Sequence, residues 1–235
     1  MGKNLIQQKR GKGSHTYRAP SFRYYGSVSY PKESKDIEGR IVDFIGCPGH
    51  SAPLIQVKYN SGEEILMPAP EGVRIGDIVK SGMKIPIKPG NIMPLKNIPE
   101  GTLIYNIEAQ PGDGGKFVRS AGTFAKVGSK MKDEVIVLLP SKKEKNFNPE
   151  CRASIGILAA GGRKEKPFLK AGNKYHAMRA KNKLYPTVSG VSMNAVCHPF
   201  GGSSSHVKGR PTQASRNAPP GRKVGKIAPR RTGRK

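Results

Sequence analysis

The sequence has few acidic residues and no long apolar run, and each shortage excludes a class of protein. Sixteen Asp and Glu residues stand against 42 Lys and Arg, which gives a formal net charge of +26. Because a compact chain with this excess repels itself, we expect a polyanionic partner. No apolar stretch approaches the roughly 18–20 residues that a membrane helix requires, and no basic-then-apolar signal peptide opens the chain. We therefore predict neither a membrane protein nor a secreted one.

Cysteine is also scarce, and its spacing argues against disulfides and against a metal site. Cys47, Cys151 and Cys197 are odd in number and far apart, so we expect a reducing cytosol and three small packing residues. Cys47 and His50 have the spacing of metal ligands, and the remaining candidates are Cys197, His198 and His206. Because the second pair of ligands typical of a structural zinc site is missing, we predict no metal and no cofactor.

Glycine and proline are abundant instead, with 29 and 20 residues, and they argue against a helical bundle. Short β-branched and aromatic runs bounded by these residues predict strands at 40–45, 53–59, 63–67, 75–79, 102–107, 116–118, 121–127, 134–139 and 153–158. One short helix is predicted over 170–182. Many short strands without long crossover helices favour small barrels over a parallel sheet, so the fold class is mainly β.

Charge is distributed unevenly along the chain. Net charge is +6 over residues 1–36, +3 over 37–160 and +17 over 161–235. The last segment has only 10 residues of 75 from the Leu, Ile, Val and Phe set, so alone it should be largely disordered and should fold against its partner. A Pro- and Gly-rich joint at 86–94 divides the middle. We predict four parts, namely a basic N-terminal extension at 1–36, barrels at 37–88 and 89–160, and a basic C-terminal extension at 161–235.

Basic clusters with interleaved aromatic residues, at 9–25 and 170–183, favour nucleic acid over a solubility tail. Lysine and arginine neutralise phosphates and release counterions, while aromatic and guanidinium planes stack on unpaired bases. The glycine-rich run at 112–116 is not a phosphate loop, because Phe117 stands where that motif has a hydroxyl. A tight turn that leaves Lys116 and Arg119 available to RNA is the better interpretation.

Evidence for catalysis is weak. No Asp or Glu follows Glu165, so nothing along the chain orients His198 or the imidazole of His206 beside Ser203–Ser205. The segment 186–202 nevertheless has an unusual composition, with Gly190 and Pro199 imposing a specific loop path and Asn194 and His198 adding polar groups. His198 is the one contested candidate for a catalytic role, and a structural histidine is the alternative.

Short distinctive blocks recur in order along nearly the whole chain, at 11–13, 18–20, 68–72, 88–91, 97–101, 111–117, 119–122, 151–156, 170–174, 193–196, 198–202, 216–225 and 230–234. Together these blocks resemble the universal large-subunit ribosomal protein L2 family, and those at the end resemble its archaeal branch. The resemblance implies an oligonucleotide-binding-fold barrel followed by an SH3-like barrel, with both extensions threaded into large-subunit rRNA. It implies a cytoplasmic ribosomal protein that binds rRNA early, contacts other large-subunit proteins, supports a bridge to the small subunit, and lies near tRNA and the peptidyl-transferase region.

The chain departs from the family pattern in the segment 186–202 and just after it. Ser189 stands where the family commonly has Arg, Cys197 where it has Asp, and Ser203 where it has Gly. Losing the Asp removes the nearest carboxylate that would polarise His198. A loop that shapes RNA is therefore favoured over a proton relay.

We predict a structural rRNA-binding protein that is not an enzyme. A general nucleic-acid packaging protein is the alternative, and an enzyme using His198 is the weaker one. The expected rRNA contacts are basic or polar side chains from both extensions, the barrels and the loop, namely Arg10, Lys12, Arg18, Arg23, Lys116, Arg119, Lys174, His176, Arg179, Asn194, His198, Arg210, Arg216, Arg222, Lys223, Arg230, Arg231 and Arg234.

Limited proteolysis of the isolated chain tests the division by charge. The +3 middle has a core to bury and the +17 segment has little, so a protected fragment near residues 37–160 is expected to survive. Mass spectrometry of the fragments measures it. Equal protection across 161–235 without RNA would contradict the division.

Overall fold

The computed structural model describes residues 10–32, 36–163, 165–202 and 211–230. The chain divides into two compact units. The barrel unit is Ser21–Pro167, and the terminal unit combines Met1–Pro20 with Phe168–Lys235. Within the described ranges, no helix has the length and apolar character to cross a membrane.

The first barrel is built from four antiparallel strands: β1 (Ile37–Ile45), β2 (Leu54–Tyr59), β3 (Glu64–Pro68) and β4 (Ile78–Ser81). β1 pairs with both β2 and β4 and carries a bulge between Ile41 and Asp43. The inward side chains of alternate positions, such as Ile41, Val57 and Met67, are fully buried in one cluster. The barrel therefore has the hydrophobic core that period-two patterning predicts.

The second barrel contains six strands: β5 (Ile92–Pro94), β6 (Leu103–Tyr105), β7 (Ala125–Lys130), β8 (Val135–Leu138), β9 (Glu144–Phe147) and β10 (Arg152–Ile155). Its main core contains Ile104, Val127 and Val137 among thirteen buried residues. On β6, Tyr105 is also buried, but it packs with Ala52 and Leu158 in a separate cluster. Both faces of this strand are therefore covered.

The two barrels form one continuous sheet in the order β3-β2-β1-β4-β5-β10-β6-β7-β8-β9. β4 and β5 join them through a parallel contact between Ser81 and Ile92. This confirms the predicted fold class, a mainly β chain with an oligonucleotide-binding-fold barrel followed by an SH3-like barrel.

Sequence patterns predicted most strands but not all. The stretch expected as a joint at 86–94 ends in a strand that was not predicted, because its last three residues form β5 and all three are buried. β9 was not predicted, since three of its four residues are polar and exposed. The strand expected at 75–79 forms three residues later, and that at 116–118 is an isolated bridge between Ile107 and Phe117.

The segment preceding β1 packs against the sheet. Val28 and Tyr30 are buried, so the predicted N-terminal extension at 1–36 contributes two core residues. The Tyr30 hydroxyl donates to the Asn106 carbonyl over 2.5 Å and lies 2.8 Å from Ser154 Oγ. Burial raises the pKa of Tyr30, so its hydroxyl keeps the proton that this bond requires.

A buried ion pair lies beside Tyr30. Glu108 is fully buried, and its Oε1 accepts from Arg152 Nη2 over 2.9 Å and Nε over 3.2 Å. Its Oε2 accepts from the Arg152 amide, and Gly114 donates its amide to Oε1. Arg152 also donates to the Pro31 carbonyl over 2.7 Å, and its guanidinium lies 5.3 Å from the Tyr30 ring centroid. One pair thus connects β10, the N-terminal segment and the turn at 112–116.

The terminal unit has little core. It contains α1 (Ala171–Ala180), a 3-10 turn (Gly190–Ser192), and the parallel pair β11 (Gln213–Ala214) and β12 (Lys226–Ile227). The helix predicted at 170–182 is confirmed and has no buried residue. Among the described residues of this unit, Ala214 alone is buried.

The three cysteines are unpaired, and they differ in burial. Cys47 and Cys151 are buried packing residues, as predicted, and burial raises the pKa of the Cys151 thiol to about 11. Cys197 is exposed, so the prediction of a packing role is wrong for this residue. No residue of the segment 186–202 is buried, which leaves no core for it to join.

Removing the carboxylate charge of Glu108 should destabilise the full chain strongly. Glu108→Gln leaves the Arg152 guanidinium without its counterion, and breaking a buried pair costs about 3–5 kcal/mol of unfolding free energy. Glu150→Gln breaks the exposed pair with Lys96 instead and should cost less than about 1 kcal/mol. Urea unfolding of both variants measures the difference, and equal losses would contradict the role given to the buried pair.

Candidate nucleic-acid interface

The turn at 112–116 positions the two basic residues predicted on the barrels. The Asp113 carboxylate accepts the amides of Ala109, Gln110 and Gly115, which closes the turn before Phe117 pairs with Ile107. Lys116 is exposed. Arg119 is half-buried and donates Nη1 to the Gly115 carbonyl over 3.2 Å. The turn therefore leaves one cation free in solvent and orients the other.

Gly115 is required where it stands. Its φ is +92°, and a Cβ there would lie 2.4 Å from the Asn106 Oδ1 atom. Only glycine combines that backbone conformation with so close an approach. The glycine richness of this turn thus reflects packing on β6 and not a phosphate cradle.

Three segments meet at Ser51 in the loop between β1 and β2. Ser51 Oγ accepts the amide of Ala121 over 3.0 Å, and the Ser51 carbonyl accepts from Arg163 Nη1 over 2.5 Å. His50 precedes Ser51, and Arg119 lies close enough to lower the pKa of His50 electrostatically. We call His50, Ser51, Arg119 and Arg163 the Ser51 cluster.

The Ser51 cluster holds two groups that the sequence did not indicate as RNA contacts, His50 and Arg163. Burial first, and the Arg119 cation second, lower the pKa of His50. Its Nδ1 atom is buried and has no hydrogen-bond partner within the described part of the chain. The sequence signal at His50 pointed only to a metal, and its proximity to Arg119 arises from a contact between distant segments.

Charge differs between the two barrels. Residues 37–81 contain four Lys and Arg against six Asp and Glu, a net charge of −2, whereas residues 82–160 contain twelve against seven, a net charge of +5. In the first barrel, Lys58 and Lys80 are already paired with Glu64 and Glu38. Of the two barrels, it is therefore the second whose net charge favours a polyanion.

The N-terminal candidates are all exposed. Arg10, Lys12 and Arg18 lie in the terminal unit, and the Arg10 guanidinium is 6.0 Å from the Tyr17 ring centroid. Arg23 lies in the barrel unit, where a 3-10 turn (Ser21–Arg23) places its guanidinium 5.5 Å from the Phe22 ring centroid. Each arginine is free to face a phosphate.

Helix α1 presents basic groups on a polar surface. His176 and Arg179 are exposed, and Lys174 is half-buried with its Nζ 5.3 Å from the Tyr185 ring centroid. The rings of Tyr175 and His176 meet edge to face at 5.5 Å. The helix has no acidic residue in its first turn, so nothing there offsets its basic side chains. It also has no buried residue, so it presents no apolar face that packs on the rest of the chain.

The loop at 188–202 is ordered by its own backbone. His198 donates its amide to the Asn194 carbonyl, and Gly201 and Gly202 donate theirs to His198 and Met193. His198 Nδ1 accepts the Phe200 amide over 3.1 Å, so Nδ1 is the unprotonated nitrogen in this arrangement. A Cβ on Gly190 would lie 2.3 Å from the imidazole, which shows that the ring packs directly on that glycine. Asn194 is exposed beside it.

The imidazole has the environment of a structural group. Within the described residues, no Asp or Glu bonds to His198, and no group of three or more His, Cys, Asp and Glu is placed to hold a metal ion. The candidate ligand His206 and the serines at 203–205 lie outside the described residues. The contacts of His198 that are present fix the loop and do not activate a base.

The last described segment, residues 211–230, is held together by hydrogen bonds within the segment. Arg222 Nη2 donates to the carbonyls of Pro211 and Gln213, so this arginine supports the β11–β12 pair. Arg216 and Arg230 are exposed, and Lys223 is half-buried. Of the predicted contacts, Arg210, Arg231 and Arg234 lie outside the described residues. The interface candidates of this segment are thus three free cations and one that also orders the backbone.

Comparison with known proteins extends over the whole chain. A family model described as Ribosomal Proteins L2, RNA binding N-terminal domain, matches residues 3–81, and one described as Ribosomal Proteins L2, C-terminal domain, matches residues 88–221. The large ribosomal subunit proteins uL2 of Methanothermobacter thermautotrophicus and Methanosphaera stadtmanae are each 52% identical over 240 aligned positions, which cover 100% of both chains. That of Methanocella arvoryzae is 52% identical and covers 99% of both chains.

Proposed function

The chain belongs to the ribosomal protein L2 family, and from this premise we propose that it is a structural, rRNA-binding constituent of the large ribosomal subunit. Its place is then the cytoplasmic ribosome. Its role is to hold RNA segments in position, and it performs no chemistry of its own. The single observation that carries the proposal is that the terminal unit combines an excess of cations with one buried residue in its described part.

That observation argues against a freestanding fold for the terminal unit. The +17 charge over 161–235 opposes compaction, and the exposed helix α1 and the loop at 188–202 have no core against which to pack. Large-subunit rRNA supplies both the neutralising phosphates and the surface. Ordering of this unit is therefore coupled to binding.

We propose the same rRNA contacts as the sequence indicated, with two additions from the Ser51 cluster. On the barrels, Lys116 and Arg119 are joined by His50 and Arg163. In the terminal unit, the contacts are Arg10, Lys12, Arg18, Lys174, His176, Arg179, Asn194, His198, Arg210, Arg216, Arg222, Lys223, Arg230, Arg231 and Arg234, and Arg23 adds a contact in the barrel unit. None of the described members is buried and most are exposed, which supports the assignment.

The four-part division at 1–36, 37–88, 89–160 and 161–235 is also a proposal. The two family models leave a gap between residues 81 and 88, and β4 ends at Ser81 while β5 begins at Ile92. These positions support a boundary between the barrels in this stretch. Burial of Val28 and Tyr30 supports attaching residues 21–32 to the first barrel.

The finer roles rest on family membership alone. They comprise contacts with other large-subunit proteins, a bridge to the small subunit, and proximity to tRNA and the peptidyl-transferase region. A general packaging protein is the alternative, and the internal hydrogen bonding of the loop at 188–202 counts against it, because binding of bulk nucleic acid needs charge and no shaped loop. Affinity for structured rRNA compared with random duplex at matched salt separates the two.

Variants that remove positive charges from the last described segment test rRNA binding directly. In the full chain, Arg216→Gln with Lys223→Gln and Arg230→Gln removes three cations without cutting the β11–β12 pair. If all three meet phosphate, the slope of log affinity for large-subunit rRNA against log salt becomes shallower by about 2–3, at about 0.7–0.9 per contact.

The matched control removes the same charge from lysines that are already paired with carboxylates. Lys58→Gln with Lys80→Gln and Lys96→Gln should leave the slope nearly unchanged. Equal slope changes in the two triple variants would mean that net charge alone governs binding.

His198→Gln tests the absence of catalysis. Glutamine retains a hydrogen-bond acceptor for the Phe200 amide but cannot serve as a general base, which typically contributes about 10²–10⁴-fold in rate. Assembled subunits with this variant should form peptide bonds at close to the parental rate at saturating substrate. Any defect should appear in assembly, subunit joining or tRNA affinity. A loss of a hundredfold or more in the chemical step would overturn the non-enzyme assignment.

A further inference from the structure

Two large aromatic side chains stand in solvent at the start of the barrel unit. Phe22 is 84% exposed and Tyr25 is 68% exposed. Single exposed apolar residues are ordinary, but here two large rings flank an exposed arginine within four residues. We call Phe22, Arg23 and Tyr25 the aromatic platform.

Tyr24, which lies between Arg23 and Tyr25 in the sequence, fixes the platform to the first barrel. The Tyr24 amide donates to the Ser21 carbonyl over 3.0 Å, which closes the 3-10 turn. The Tyr24 side chain packs with the buried cluster of Val28, Ile45, Cys47 and Leu54. Its ring also lies so close to Gly49 that a Cβ there would be 3.0 Å away. Tyr24 thus points inward and holds its two neighbours outward.

Arg23 gives the platform its charge and extends its flat surface. Its guanidinium lies 5.5 Å from the Phe22 ring centroid, within the range of a cation–π contact. No Asp or Glu occurs between residues 10 and 32, whereas five Lys and Arg do. The chain on either side of the platform is therefore basic in sequence, which favours a polyanion over a protein partner, and exposed rings favour a ligand with free π faces.

We propose that Phe22, Arg23 and Tyr25 form a stacking platform for unpaired RNA bases. The inference rests on the proposed function and adds a ligand class to it. Bases in a duplex are stacked on each other and offer no free face, whereas bases in loops and single strands stack on aromatic and guanidinium planes. The platform therefore selects single-stranded over duplex RNA.

A unique fluorophore tests the proposal, because the chain contains no tryptophan. Phe22→Trp in the full chain places an indole on the platform, and Phe124→Trp places one at a 43% exposed position on the second barrel as the control. The probes are a mixed-sequence single strand of about ten nucleotides and a duplex of equal charge. Stacking should quench Phe22→Trp fluorescence about twofold or more with the single strand, and neither the duplex nor the control should show this.

Binding of both probes is measured separately by anisotropy of labelled RNA. Quenching that is equal for the two variants, or stronger with the duplex, would overturn the platform while leaving rRNA binding intact. Binding of the single strand without any quenching of Phe22→Trp would overturn the platform as well. If the parental chain binds neither RNA, the proposed function fails, and the platform fails with it.

A second pair of variants separates stacking from charge. Phe22→Leu with Tyr25→Leu should weaken single-strand binding by roughly five- to 150-fold per base lost, with the salt slope unchanged, because no cation is removed. Arg23→Gln should reduce the slope by about 0.7 instead. Since all three side chains are exposed, the unfolding midpoint should stay at the parental value. Unchanged single-strand affinity in the double variant would contradict the platform.

Discussion

The buried pair between Glu108 and Arg152 is the contact on which the barrel unit depends. It is the point where β10, the N-terminal segment at Pro31 and the turn at Gly114 are joined by hydrogen bonds to one carboxylate and one guanidinium. A buried charge is tolerated only when it is paired and fully bonded, so the three segments must assemble together. The turn that carries Lys116 and Arg119 is oriented by this assembly. The placement of these two cations is in that sense a consequence of a buried acid.

The two units solve opposite physical problems. The barrel unit buries one large apolar cluster in each barrel of a ten-stranded sheet and carries a modest charge. The terminal unit has an excess of cations and one buried residue among those described, so its conformational entropy must be offset from outside the chain. Phosphate neutralisation is suited to that role because it scales with the number of cations and not with a core. Under the proposed function, folding and binding of this part of the molecule are then one process.

The sequence pattern was sufficient to predict those strands and helices whose own residues determine their conformation. β1, β2 and β3 follow from β-branched runs between glycine and proline, and α1 follows from one uninterrupted segment. β5 was missed because its three residues sit in a proline-rich run and become a strand only between β4 and β10. β9 was missed because it is an edge strand with polar outward positions.

The interface shows the same limit. Basic residues in charged extensions are visible in the sequence, since their composition alone marks them. Arg163 counts toward the charge of the extension at 161–235, but its contact with Ser51, 112 residues away along the chain, is not visible in the sequence. The proximity of His50 to Arg119 is not visible there either. The packing role predicted for Cys197 was wrong because a packing residue requires a core, and the loop at 188–202 does not have one.

The most direct measurement of the central claim is sedimentation of large ribosomal subunits after a high-salt wash, with the chain detected in each fraction. A structural rRNA-binding constituent with both units engaged should stay with the subunit in constant ratio to its RNA. Free chain at the top of the gradient, or chain spread over all nucleic acid regardless of size, would contradict it.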